Sequence, residues 1–180
     1  MKKQKNTLAL LFIVFGLITF IGCSKYEEGP GISFRTKKSR VVGEWKVTTF
    51  KYNGLDYLNQ SISDVFYCSL GSSFNYTNTM NINIDWTFSE DGNSTNVINT
   101  VSHVLDYFSS DAQCAAIYND SNDSTSDTLT WEFASDKEDL KFTYSDGTSE
   151  TWNIIELREN EMKLKLIDGT DIIEVTLEKK

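Results

Sequence analysis

The chain has 180 residues and a formal net charge of −9 at pH 7. Eleven Phe, eight Tyr and four Trp exclude disorder by composition. The negative charge opposes phosphate backbones, which argues against a nucleic-acid partner and against docking on an anionic membrane by charge alone.

The first segment, residues 1–22, carries Lys2, Lys3 and Lys5, then an apolar run from Leu8 to Ile21, then Gly22. A positive start, a short apolar stretch and a small residue before the cut describe a secretory signal. A run of 14 residues is short of the ~20 that span a bilayer. Phe20-Ile21-Gly22-Cys23 resembles a bacterial lipobox, whose Cys is acylated and becomes the new N-terminus. Lipoboxes usually have Leu where this chain has Phe20, a bulky apolar residue still. The resemblance implies lipid attachment at Cys23. Each buried CH₂ contributes roughly 0.8 kcal/mol, so several acyl chains hold a soluble domain durably on a bilayer. Loss of the three leader lysines takes the net charge from −9 to −12, leaving anchoring to the lipid.

Residues 23–40 read as a tether, with Gly29-Pro30-Gly31 and a basic run of Arg35, Lys37, Lys38 and Arg40. Ser24-Lys25-Tyr26-Glu27-Glu28 is similar to the acidic export signals of some surface lipoproteins. The expected location is the outer membrane, facing the periplasm or the cell surface.

Residues 41–180 form the predicted domain. From Val42 to Tyr52, Trp45 and Val47 share one face; Phe50 and Tyr52 then change phase, which predicts a bulge. Asn53-Gly54 predicts a turn. In 55–78, Leu55, Leu58, Ile62, Val65 and Phe66 fall at helical spacing, so a short helix or structured loop is expected. Thr79 to Ser89 alternates without a break, with Met80, Ile82, Ile84, Trp86 and Phe88 on one face, as a half-buried antiparallel strand requires. Residues 94–119 fit both a strand and a helical stripe; a strand start followed by a loop with helical turns is expected, with Asp111 as a candidate helix cap. Residues 119–128 read as a polar loop.

The last third predicts hairpins. Leu129-Trp131-Phe133, Leu140-Phe142-Tyr144, Trp152-Ile154, Met162-Leu164-Leu166 and Ile173-Val175-Leu177 alternate with polar residues, and Asp146-Gly147 and Asp168-Gly169 turn the chain. The change of phase from Ile154 to Ile155 predicts a second bulge. The count reaches about eight antiparallel strands, and closing them into an up-and-down β-barrel removes the exposed edges.

Beyond Cys23, two cysteines remain, Cys68 and Cys114. Export places them where disulfides persist, so a bridge is expected, with two separate buried thiols as the alternative. His103 is the chain's only histidine, which leaves a His-based metal site or a Ser-His-Asp triad without support. Asp120, Asn122, Ser124 and Asp127 resemble the start of a calcium loop, but Thr125 stands where Gly is needed and Trp131 where Glu is needed. No metal, no cofactor and no enzymatic activity are expected.

Gly43-Glu44-Trp45 resembles the Gly-x-Trp signature of lipocalins, in which the Trp closes one end of the barrel. Trp86 to Gly92, Trp131-Glu132-Phe133 and Trp152 to Leu157 are similar to segments of lipocalin-like domains in Gram-negative lipoproteins. The likeness covers about residues 41–178 and departs from the pattern at 94–127, where a short helical or irregular insertion is expected. It implies an eight-stranded barrel with an apolar cavity. Trp86, Trp131, Phe133 and Trp152 recur on strand faces that also carry aliphatics, which makes them core residues or, on the sharper reading, candidate lining residues for a small apolar or sugar ligand. The alternative is a structural or interaction module that meets a surface glycan or a protein by its outer face.

Overall fold

The computed structural model describes residues 35–180, and the expected signal segment and Cys23 lie outside them. The elements are α1 (Lys37–Val41), β1 (Gly43–Tyr52), β2 (Leu55–Asp56), β3 (Asn59–Tyr67), β4 (Ser73–Phe88), β5 (Asn93–Leu105), α2 (Tyr107–Gln113), β6 (Tyr118–Ala134), β7 (Asp139–Tyr144), β8 (Ser149–Leu157), β9 (Glu161–Asp168) and β10 (Asp171–Lys179).

All pairings between these strands are antiparallel, in the order β2-β1-β10-β9-β8-β7-β6-β5-β4-β3, and a further pairing of β1 with β4 closes a ring. Eight strands, β1 and β4 to β10, therefore form a closed up-and-down barrel. The predicted bulges are present: register shifts in β1 between Val47 and Thr49, and between β8 and β9 at Ile154/Glu156. Asn53 and Gly54 both take positive φ, 49° and 86°, which a two-residue hairpin turn requires.

One end of the barrel is solid. Trp45, Phe88, Leu140, Phe142, Leu157, Met162, Leu164 and Leu177 are fully buried there. Gly43 explains its place in the signature: its φ is 133°, and a Cβ would stand 2.8 Å from Lys179 Cε. Two residues on, the Trp45 indole donates to the Val41 carbonyl at 2.7 Å, with Lys179 Nζ 5.1 Å from its ring centre. Lys179 also donates to the Arg40 carbonyl, and the Arg40 guanidinium donates to the Leu157 carbonyl at 2.6 Å. Helix α1 thus seals this end. Residues 37–40, expected to be tether, belong to the barrel cap, because Arg40 and Val41 find buried partners there.

Two expectations are corrected. Residues 55–78 hold β2, β3 and the start of β4 instead of a helix: Phe66, Asp64, Ile62 and Gln60 stand opposite Phe74, Tyr76, Asn78 and Met80. Residues 94–127 are no irregular insertion. β5 and β6 pair without interruption from Asn93↔Thr130 to Leu105↔Tyr118, and the segment expected to be a polar loop lies inside β6. A short helix does follow β5, but Asp106 caps it by accepting from Ser109 N at 3.1 Å, while Asp111 accepts from Ser69 N.

Because β4, β5 and β6 outrun their neighbours, their outer parts leave the barrel together and, with β3, form a four-stranded wall beyond its open end. At the tip, Cys68 and Cys114 are joined by the expected disulfide, Cα to Cα 5.7 Å, tying the β3–β4 hairpin to the end of α2.

Candidate binding cavity

The open end contains a cavity of about 410 Å³. Val47 and Phe50 of β1, Ile82 and Ile84 of β4, Ile98 of β5, and Ile173 and Val175 of β10 form its apolar walls. Most of these residues alternate with polar neighbours, so the period of two that builds the barrel also directs them inward. The volume lies in the range of small-molecule sites, and so does the predominantly apolar lining.

The mouth has a gap to close. β1 and β4 pair only from Gly43↔Phe88 to Lys46↔Asp85 and part above that point. The segment between β2 and β3 bridges them: Tyr57 N donates to the Phe50 carbonyl at 2.8 Å, and Ile82 N donates to the Leu58 carbonyl at 2.7 Å. Leu58 and Tyr57 both line the cavity, Leu58 buried and Tyr57 partly exposed, while Leu55 is exposed. Sequence reasoning missed this bridge because Leu55, Leu58, Ile62, Val65 and Phe66 fall at helical spacing, which hid the two-residue strand Leu55–Asp56 and the link that follows it.

The floor is aromatic. Trp86 meets Trp152 edge-on at 6.4 Å and Phe142 at 5.4 Å, which separates the cavity from the solid core. Of the four predicted lining residues, Trp86 and Trp152 are at the cavity. Trp131 and Phe133 belong to the closed end. Trp131 is buried edge-on against Phe88 and donates to the Ser89 carbonyl at 3.1 Å, and Phe133 packs on it at 5.7 Å. All four sit on inward faces, and only their height along the barrel, which the sequence does not mark, decides between core and cavity.

A small polar set interrupts the apolar lining. Glu150 Oε2 accepts from the Tyr144 hydroxyl at 3.0 Å and from the Trp152 indole at 3.1 Å. Burial, reinforced by the Glu150 hydrogen bond, pushes the Tyr144 phenol up to about 12, so it stays a donor over the ordinary pH range. Trp86 and Asn96 stand directly opposite across β4 and β5, and Trp86 Nε1 and Asn96 Oδ1 are buried without a hydrogen-bond partner.

Elsewhere, His103 Nδ1 lies 2.5 Å from Asp120 Oδ1, and its ring stacks on Tyr118 at 3.8 Å, on the outer wall and away from the cavity. Asp120, Asn122 and Ser124 share one face of β6 and Asp127 the other, so they form no calcium loop. Among the described residues no three His, Cys, Asp or Glu side chains gather as metal ligands would.

An eight-stranded antiparallel barrel, closed by a buried Trp at one end and hollow at the other, is the architecture of a ligand-binding β-barrel. The chain belongs to the lipocalin-like domain family, whose model matches residues 41–164. No curated protein and no solved structure matches it.

Proposed function

We propose that the protein is an outer-membrane lipoprotein, attached through Cys23, whose barrel binds a small apolar ligand and performs no catalysis. The observation that carries this reading is the cavity of about 410 Å³ between the Trp86–Trp152 floor and the mouth. The leader and the lipobox-like Phe20-Ile21-Gly22-Cys23 support the anchoring. The chain enters the barrel at its closed end, through α1, so the mouth opens on the side away from the tether. Such a placement keeps the cavity accessible from the aqueous phase.

Native mass spectrometry of the full-length protein purified from its own host tests the binding. A discrete non-covalent adduct that is lost in Trp86→Ala is expected; protein of bare mass from every gentle preparation would overturn the reading. Cys23→Ser tests the anchor: it should release folded protein from the membrane fraction, and full retention of processed protein would place the anchor elsewhere.

A second reading draws on the outer wall, where Tyr67, Leu70 and Phe108 are 78%, 81% and 91% exposed around the disulfide. It makes the tip a contact surface for a protein or glycan partner. A photo-cross-linker at position 108 should then give one discrete adduct in the host envelope, and one at exposed Thr151 on the barrel side should give none; equal labelling from both would reject it.

A further inference from the structure

The polar set in the cavity narrows the class of ligand, and this step rests on the cavity being the binding site. The lining residues include a single ionisable acid, Glu150, and no Lys, Arg or His. One of its oxygens already accepts from Tyr144 and Trp152, which fixes the carboxylate at the wall of an otherwise apolar space. A second acceptor, Asn96 Oδ1, and one donor, Trp86 Nε1, are buried there unpartnered. Buried polar atoms left without partners are unfavourable, so a ligand that supplies those partners is preferred over a pure hydrocarbon.

We propose that the cavity takes an amphiphile whose single polar head is uncharged or cationic and donates hydrogen bonds, an alcohol or amine, set against Glu150 and Asn96. Its hydrocarbon part lies among Phe50, Ile82, Ile84, Ile98 and Val175. An alcohol head's oxygen also offers Trp86 Nε1 an acceptor, whereas an ammonium head only donates and gains instead from the charge of Glu150. A carboxylate-headed lipid is disfavoured on two counts. It would bring a second negative charge beside Glu150 in a site of low dielectric, and it would offer acceptors where acceptors are in excess. The selectivity thus comes from a repulsive element as much as from an attractive one.

Three probes of equal chain length separate the possibilities: dodecanol, dodecylamine and dodecanoic acid. Each is titrated into the full-length protein in a neutral maltoside detergent at neutral pH, with Trp86 and Trp152 fluorescence as the readout and native mass spectrometry for stoichiometry. Detergent competition acts on all three, so the ranking carries the result. The alcohol and the amine should bind at least ~10-fold more tightly than the acid. Glu150→Gln should cut the amine's advantage over the alcohol, raise the acid's affinity by about 10-fold and leave the alcohol within about 3-fold. If the variant does not fold, the wild-type ranking still decides. Acid binding as tight as the alcohol overturns the head-group assignment while leaving the cavity as a lipid site. If none of the three binds, both the assignment and the cavity reading fall.

Discussion

The barrel and the wall that rises from it are made of the same strands, yet they are held together differently. Below the mouth, β4, β5 and β6 turn one face onto the opposite side of the ring, and Phe88, Leu129 and Trp131 disappear into the core. Above it, the same strands keep their ladder but are covered only locally, at the tip, where Leu105 and Cys68 are buried. No residue from 59–81 or 99–128 belongs to the buried core cluster. Eight of the eleven exposed large hydrophobics among the described residues are in the wall and its tip, including Ile62, Val65, Val101 and Val104. Pairing alone makes these segments strands; burial makes the barrel strands stable. The wall replaces a core with local devices: the Phe66–Phe74–Tyr107 cluster, with rings 5.2 and 5.7 Å apart, the Asp106 cap and the disulfide.

The contrast can be broken by substitution. Trp45→Ala should destabilise the barrel by roughly 3–5 kcal/mol, as loss of a buried Trp does, whereas Phe66→Ala in the half-open cluster should cost about 1 kcal/mol. All four tryptophans, Trp45, Trp86, Trp131 and Trp152, are in the barrel, so their fluorescence in urea follows that part alone. Equal losses for the two substitutions would show that the wall is as tightly coupled to the core as Trp45 is.

The disulfide comes next. Its cysteines are 46 residues apart, for which the chain-entropy model gives about 4 kcal/mol. Cys68→Ser with Cys114→Ser should release most of this locally. Amide exchange should accelerate in β3, α2 and the outer parts of β4 and β5, while the fluorescence midpoint of the barrel moves much less. A fluorescence loss of the full amount would merge the two regions into one cooperative unit.

Asp106→Ala should cost about 1 kcal/mol by removing the cap of α2, again in the wall. Faster exchange confined to residues 107–117 is the expected signature, and a shifted barrel midpoint would contradict it.

The same division explains what could be read in the sequence. In the barrel, one dry face and one wet face print a period of two, and Met80 to Phe88 and Leu140 to Tyr144 were legible as strands. In the wall the faces are largely wet, and burial is confined to the tip around Leu105 and Cys68. Asn119 to Thr128 is a run of Asn, Asp, Ser and Thr, typical of a loop, and becomes β6 only because β5 lies beside it for thirteen pairs. Ile62, Val65 and Phe66 fit a helix on paper, and their partners on β4 include the polar Asn75 and Asn78, so the hairpin leaves no period-two pattern to read. The cavity was half legible for a related reason. Alternation shows that Trp86, Trp131, Phe133 and Trp152 point inward, but not at which height. Glu150 carried no signal at all, because a Glu before Thr151-Trp152 reads as an ordinary exposed strand residue.

Tyr144 tests the mouth, where a half-buried phenol meets the Glu150 carboxylate. The unfolded chain releases a phenol proton near pH 10, and the folded protein holds that of Tyr144 to about 12. Between these values the unfolded state binds fewer protons than the folded state, so stability falls as the pH rises. The contribution is complete below about pH 10 and is lost through about pH 12. Tyr144 is partly exposed, so the effect is the smallest of the set. Tyr52 and Tyr76 shift in the same direction for a different first cause, hydrogen bonds to Asp171 and Tyr107, and give the wild type a background slope. Tyr144→Phe should therefore flatten the decline of the urea midpoint between pH 10 and 12 without abolishing it, and should lower the midpoint at pH 8 by the small amount that the wild type would otherwise lose over that range. An unchanged slope would mean that the Tyr144–Glu150 pair is solvated, and that the mouth is as wet as the wall above it.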